Sequence, residues 1–326
     1  MELWVRARGQ MEVRMKVSVC MATYNGAKYV RQQLESILHQ TRCPDEVILC
    51  DDGSVDETVE IVKRFLQENQ LENTWQLHQN AENKGYPGNF YYTMSLCSGD
   101  IIFLADQDDI WQEEKIAHMC QVFEEHSEAA AVSCKLGLID AKGSDIHSIM
   151  APTHKGNRAG EGQLRRIRIE DVFYKYEWPG MVMAYRRAWY QSWSVGSYDI
   201  PHDFLICARA AEKNAFFQMD EILAWHRRHD NNAGGEEHRV NRLLQKERKL
   251  KEIHDYLQML QTLDKEETLQ TEHGKAALHS KLASMQGRYE ALQSGKLRRI
   301  LGNAREYWGE TRVKTLLCDV VIVLKG

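Results

Sequence analysis

Residues 99–111 read GDIIFLADQDDIW, and the fold class turns on this stretch. Ile101–Ala105 is an unbroken apolar run, the pattern of a strand covered on both faces. It delivers Asp106, Asp108 and Asp109 at its carboxyl end. Three carboxylates so close repel one another, and removing them from water is costly. Two readings stand. In one, Asp106 and Asp108 hold a hard divalent cation, Mn2+ or Mg2+, whose remaining positions go to water and phosphate. In the other, the segment is a solvated acidic turn that caps the helix beyond Trp111.

Working outward, the pattern repeats. Val17–Ala22 and Glu46–Cys50 are further buried strands, and Trp75–His78 is a weaker one. Lys28–Gln40 places Val30, Leu34, Ile37 and Leu38 at helical spacing. Ser54 with Glu57 makes a capping box for a helix carrying Val59, Val62, Phe65 and Leu66 on one face. Asn89–Leu96 and Gln112–His126 read as helices and Ala130–Leu138 as a strand. This alternation predicts an α/β fold with a mostly parallel central sheet flanked by helices. Such sheets bind ligands outside the carboxyl ends of their strands. Beyond Asp140 the signals thin. Residues 147–170 read as a long polar loop and a candidate lid, Met181–Tyr185 as a strand, Phe204–Glu212 as a helix, and Phe216–Trp225 as a strand containing a turn.

From Arg239 onward Val240, Leu243, Leu250, Ile253, Leu257 and Leu260 follow a 3/4 spacing, and Leu278, Leu282, Met285, Tyr289 and Leu292 repeat it after a break near Thr271–Gly274. This predicts a helical hairpin with basic outer faces, followed by an amphipathic tail, Thr315–Leu324, interrupted by Asp319. The expected organisation is an N-terminal extension over 1–15, a catalytic domain over 16–235 and a helical C-terminal region over 236–326. The first fourteen residues lack the apolar core of a signal peptide, and Met15 is a plausible natural start.

Bulk properties narrow the class. A net charge of -5 over 326 residues argues against a nucleic-acid partner. None of the eight cysteines forms a C-x-x-C pair, so they read as buried hydrophobes in a reducing cytoplasm rather than zinc ligands. No segment approaches the ~20 apolar residues of a spanning helix. The first strand lacks the G-x-G-x-x-G turn of a dinucleotide-binding oxidoreductase, and no glycine- and basic-rich phosphate loop marks a nucleotidyltransferase.

Two more strand ends carry polar residues. Asp51 and Asp52 close the second strand, either as turn and cap formers or with Asp52 accepting a bond from a base or ribose. Thr23-Tyr24-Asn25-Gly26 closes the first, either as a turn or with Tyr24 stacking on a base and Asn25 reading its edge.

VSVCMATYNG (17–26), EVILCDDGSVDET (46–58), NAENKGYPGN (80–89) and GDIIFLADQDDIW, in this order, resemble the family 2 glycosyltransferases with the GT-A fold over about residues 16–232. His202-Asp203 and HRRHDNNAGG (226–235) resemble its bacterial rhamnosyltransferase-like subgroup, which builds surface polysaccharides. Ala22 stands where some members carry a hydroxyl residue, and Asp230 where the subgroup often has Gly.

The resemblance implies inverting transfer of a sugar from a UDP- or dTDP-sugar to a hydroxyl of a glycan or lipid-linked acceptor. It assigns Thr23, Tyr24 and Asp52 to the nucleoside, Asp106 to the ribose, Asp108 to the metal on the diphosphate, and Lys84 and Gly85 to the loop beside the nucleotide. Arg227 and His229 fall near the diphosphate, Asp109 is an adjacent acidic residue, and Asp203 is the general base, preceded by His202 where Glu is usual. On the residues alone Asp203 reads first as a helix N-terminal carboxylate, and His226 and His229 equally as surface or turn histidines. The non-enzymatic alternative is an inactive nucleotide- or glycan-binding subunit; it should have lost carboxylates, yet Asp52, Asp106, Asp108 and Asp203 are all present. The basic C-terminal helices suit an anionic lipid surface, an oligomer interface, or packing on the catalytic domain.

Overall fold

The computed structural model describes residues 14–146, 163–175, 178–195, 199–229, 245–302 and 313–325. Val240, Leu243, Asp230 and most of the candidate lid and N-terminal extension lie outside them.

The first half follows the predicted alternation: β1 (Val17–Thr23), α1 (Val30–Leu38), β2 (Glu46–Asp51), α2 (Thr58–Glu68), β3 (Trp75–Gln79), α3 (Gly85–Leu96) and β4 (Ile101–Ala105). Strands β3, β2, β1 and β4 lie side by side in parallel register. Val17, Val19, Met21 and all of Ile101–Ala105 are fully buried. Each large apolar side chain so placed contributes about 1.5–3 kcal/mol relative to exposure, which is why these strands are written as continuous apolar runs.

The second half departs from the expectation. It holds β5 (Ile110–Trp111), α4 (Lys115–Glu125), β6 (Ala131–Ile139), β7 (Leu164–Arg166), α5 (Ile169–Lys175), β8 (Met183–Arg186), α6 (Arg187–Gln191), α7 (His202–Glu212) and β9 (Phe216–Arg227). The sheet order is β3-β2-β1-β4-β8-β6-β9-β5, with β7 on β9. Strand β8 inserts antiparallel between β4 and β6, and β5 and β7 pair antiparallel with β9. The sheet is therefore mixed: β3-β2-β1-β4 are parallel and β6 and β9 are again parallel, with β8 antiparallel between the two groups and β5 and β7 antiparallel on β9. Segment 163–170, expected as loop, contains β7 and the start of α5. Strand β9 is one continuous element whose register against β6 shifts near Lys135, so an irregularity replaces the expected turn.

The expected capping box is absent. The Ser54 hydroxyl donates to Asp51 Oδ1 at 2.5 Å, and Asp56 accepts the Thr58 N–H and hydroxyl at the start of α2. All eight cysteines are free and most are buried.

At the C-terminus, helices Lys246–Lys265 and Glu272–Ser294 form the expected hairpin, closed by Thr271, whose hydroxyl accepts the Gly274 N–H at 2.9 Å. Ile253, Leu257, Leu260 and Leu263 face Leu278, Met285 and Leu292 in a core continuous with that of the sheet domain. Glu212 at the end of α7 accepts the N–H groups of Gln270 and Thr271, fixing the hairpin turn to the sheet domain. The tail helix, Val313–Lys325, is tied back by buried Asp319, which accepts two bonds from Arg288 at 2.7 and 3.0 Å.

Candidate functional site

The polar ends of β1, β2 and β4 meet at one edge of the parallel half-sheet because the three strands are adjacent and in register. At β2, Asp51 is buried and its carboxylate accepts four bonds, from the Thr23 and Ser54 hydroxyls and the Gly53 and Ser54 N–H groups. Thr23, expected at the nucleoside, is buried on this carboxylate. Asp52 accepts from Asn80 Nδ2 at 2.7 Å and from the N–H groups of Lys84 and Gly85 at 2.8 and 2.9 Å, shaping the loop that opens α3. Gly85 has φ +72°, a conformation that favours glycine. The Lys84 ammonium lies 4.8 Å from the Tyr92 ring centre.

At β1, Tyr24 is half-exposed, as a platform for a flat ligand must be. Asn25 sits at φ +49°, donates its N–H to the Ser54 hydroxyl and accepts the Val55 N–H on its side chain, so it serves the turn. Gln107, the middle residue of the acidic stretch, accepts the Tyr24 N–H and donates to the Tyr24 carbonyl, both at 2.9 Å. That amide joins the β1 end to the β4 end, a role the sequence does not announce. Gly26 leaves room for that amide, since a Cβ there would lie 2.1 Å from Gln107 Oε1 and displace it.

At β4 the carboxylates face one another. Burial, followed by the charges of Asp109 and Asp108 and, more weakly, of Asp203, pushes Asp106 well above the usual carboxylate range. Burial and then the Asp109 charge push Asp108 up as well, against the opposing pull of its bond to His229. Asp108 accepts from His229 Nε2 at 2.8 Å, and His229 packs 4.7 Å from the Tyr29 ring. Asp109 is fully buried; its Oδ1 meets His226 Nδ1 at 3.1 Å and the Arg227 N–H at 3.0 Å, while its Oδ2 has no hydrogen-bond partner among the described residues. Burial opposes a charge on His226, but the bond to Asp109 and the surrounding carboxylates outweigh it and raise the imidazole.

Arg227 is fully buried. Its guanidinium donates to the Asp108 and Asp140 carbonyls and to Gln32 Oε1 and lies 4.6 Å from the Tyr29 ring centre. These bonds hold the acidic turn in place from behind.

Asp203, in the first turn of α7, is buried beneath this cluster. Its carboxylate accepts the Gly180 N–H at 3.2 Å and the Phe204 N–H at 2.8 Å. His202 stacks on Phe90 at 4.1 Å, and neither ring nitrogen has a hydrogen-bond partner among the described residues; burial lowers it. Above it stands Tyr86, half-exposed, whose phenol is raised by burial and then by the Asp203 and Asp106 charges. Tyr86 lies within NAENKGYPGN, yet nothing in the sequence distinguishes it from other loop tyrosines.

Among the described residues no group of three or more His, Cys, Asp or Glu side chains is set to hold a metal alone. Asp106 and Asp108 nevertheless fit one. Both are oxygen donors at the end of β4 that stay partly open to solvent, and burial followed by neighbouring carboxylates raises their pKa values, which disfavours leaving them charged without a counter-ion. A Mg2+- or Mn2+-type site of one or two carboxylates is completed by water and phosphate.

A family model for glycosyl transferase family 2 matches residues 18–188, more than half of the chain. An uncharacterized glycosyltransferase of Nostoc sp. is 30% identical over 132 residues, covering 40% of this chain and 40% of that relative; the match thus spans well under half of the relative's length. Among solved structures, S. aureus TarS in complex with UDP-GlcNAc superposes with a TM-score of 0.59 at 16% identity, over 95% of this chain and 91% of the other. The mannosyltransferase PcManGT of Pyrobaculum calidifontis, solved with GDP-Man and Mn2+, gives 0.55 at 16% identity, over 96% and 87%. At such identities the likeness shows the fold, which is GT-A.

Proposed function

Since this chain belongs to glycosyl transferase family 2, we propose that it moves a sugar, with inversion, from a UDP- or dTDP-sugar to a hydroxyl of a glycan or lipid-linked acceptor, as rhamnosyltransferase-like enzymes of surface polysaccharide synthesis do. One observation carries the reading: Asp106, Asp108 and Asp109 crowd the end of β4, and burial first, then the Asp109 and Asp108 charges and more weakly that of Asp203, raise Asp106. A fold that keeps such repulsion has a use for it, and binding a cationic complex is the simplest.

In this mechanism Tyr24 supports the base, Asp52 keeps the Lys84–Gly85 loop beside the nucleotide, and Asp106 faces the ribose. Asp106 and Asp108 would hold Mn2+ or Mg2+, which would supply positive charge to the departing diphosphate. His229 and Arg227 keep Asp108 oriented, one through its carboxylate and one through its main chain. Asp203 takes the proton from the acceptor oxygen as that oxygen bonds the anomeric carbon and the bond to the diphosphate breaks. The Gly180 and Phe204 N–H groups fix this carboxylate before substrate arrives. Tyr86, beside Asp203 and Asp106, covers the reacting centre and restricts water, which would otherwise hydrolyse the donor.

The lipid-linked acceptor gives the C-terminal region a role at the inner face of the membrane. Among the described residues no helix is long and apolar enough to cross a bilayer. Leu301, Leu317 and Leu324 are exposed, and Lys296, Arg298 and Arg299 are exposed near Leu301, a combination suited to an anionic surface. Flotation with phosphatidylglycerol vesicles tests this; a protein that stays with the aqueous phase rules it out.

The decisive experiment measures release of nucleoside diphosphate and thermal shift with UDP-, dTDP- and GDP-sugars, with and without manganese. A true donor stabilises the fold by mass action. Asp108→Asn abolishes the manganese-dependent shift, whereas Asp203→Asn keeps the shift and loses transfer. Normal turnover by Asp203→Asn removes it as base; tight glycan binding without any turnover favours a binding subunit.

A further inference from the structure

Lys115 is the largest electrostatic oddity outside the residues given a role so far. It opens α4, where the helix macrodipole disfavours a cation, and it is fully buried. Burial lowers its ammonium to about 8, with the Cys134, Asp109 and Asp106 charges working in the opposite direction. The side chain passes beneath the acidic turn, its Nζ 3.5 Å from the Trp111 ring centre, and donates to the Met181 carbonyl at 2.5 Å. An ammonium held with so little solvent is expensive unless its position does something.

Its acceptor suggests what that is. Met181 belongs to the one-turn 3-10 helix Gly180–Val182 between α5 and β8. The preceding residue, Gly180, donates its N–H to Asp203 Oδ2 at 3.2 Å. Lys115 thus grips by its carbonyl the same turn that grips Asp203 by its N–H. The far side of the turn is equally tight: a Cβ on Gly180 would stand 3.0 Å from His202 Nε2 and 3.7 Å from the Leu104 side chain. The turn thus lies between Lys115 on one side and His202 and Leu104 on the other.

We propose that Lys115 is a positioning residue for the transfer reaction: by fixing the Gly180–Val182 turn it aims the Asp203 carboxylate, without itself touching donor or acceptor. The inference rests on the reading of Asp203 as base. It predicts a signature unlike that of a merely stabilising lysine. Donor and metal bind at the β1 and β4 ends, so their binding is preserved, while the chemical step suffers, because small misplacements of a reacting group cost up to about 10²-fold in rate.

The test uses the full chain as Lys115→Met and, because a buried lysine variant can fail to fold, also as Gly180→Ala, which disturbs the same turn from its other side. Isothermal titration of UDP with manganese, the donor KM and kcat are measured for each. The expected result is a Kd and donor KM within about two-fold of the parent with kcat reduced roughly 10- to 100-fold. In an Asp203→Asn background, adding either substitution should remove little of the residual turnover, since effects on one unit are not additive. Unchanged kcat in both folded variants overturns the proposal, as does an undiminished further loss in the Asp203→Asn background. If Asp203→Asn alone turns over normally, the base assignment has failed instead, and the Lys115 result is then read apart from it.

Discussion

The carboxyl ends of β2 and β4 flank β1 and look alike on paper, Asp51-Asp52 on one side and Asp106 to Asp109 on the other. Physically they are opposites. The Asp51 and Asp52 carboxylates together accept seven bonds from hydroxyl, amide and main-chain donors among the described residues. Charge so surrounded is structural: it folds the turns that hold Thr23, Lys84 and Gly85. At β4 the nearest influences on Asp106 after burial are other carboxylates. A saturated acid builds the scaffold, and an acid facing acids marks the place where a cation is to come.

The largest effect that would break this contrast concerns Asp106. Asp106→Asn should lower turnover on the order of 10²–10³-fold, the usual result of deleting a group that stabilises charge at the reacting centre. The same change should raise the melting temperature of the metal-free protein, because a group raised by its fold is destabilising when ionised and Asn carries no charge. Initial rates with manganese and a melt in chelator read both. A lower melting temperature would mean that the β4 carboxylates do not oppose one another.

Asp51→Ala should do the reverse. It strands four donors in a buried turn, and urea unfolding should show a loss of roughly 2–4 kcal/mol. A loss below about 0.5 kcal/mol, the scale of a plain surface substitution, would erase the distinction between the two strand ends.

The sequence carried this contrast only in part. Strand ends with acidic residues were legible because a strand buried on both faces is written as an apolar run, and a polar residue at its end stands out. Which acid is saturated was not, since the donors come from Thr23, Asn80 and Gly85, residues that any turn contains. Arg227 reads as one of several basic residues in HRRHD, but one of the acceptors that hold its buried guanidinium is Gln32, 195 positions away. Lys115 looks like an ordinary surface residue of a helix and is buried only because β8 and its preceding turn fold over it, a topology that local alternation does not encode. The antiparallel place of β8 was not legible for the same reason: its partners β4 and β6 lie far from it in the chain, and no short pattern records that pairing.

Gln107 sharpens the comparison at a smaller scale, since it is the neutral residue through which the β4 end reaches β1. Gln107→Ala removes both bonds to the Tyr24 main chain. The expected cost is about 1–2 kcal/mol in chemical unfolding together with a weaker affinity for UDP, because Tyr24 loses its anchor. Unaltered UDP affinity would separate Tyr24 from the nucleotide.

The smallest effect belongs to the cation behind the cluster. Lys115 is lowered to about 8 in the fold, first by burial, against the pull of Cys134, Asp109 and Asp106, and its unfolded value lies near 10.5. Between these values the unfolded chain binds the extra proton, so the contribution of Lys115 to stability rises with pH and is lost as pH falls through about 8. The gap in unfolding free energy between the parent and Lys115→Met should therefore shift in favour of the parent by roughly 1 kcal/mol from pH 8 to pH 9. A gap that stays flat would mean that the carboxylates at the β4 end already balance the buried ammonium. In that case they would not be short of positive charge, and the case for a metal at Asp106 and Asp108 would weaken with it.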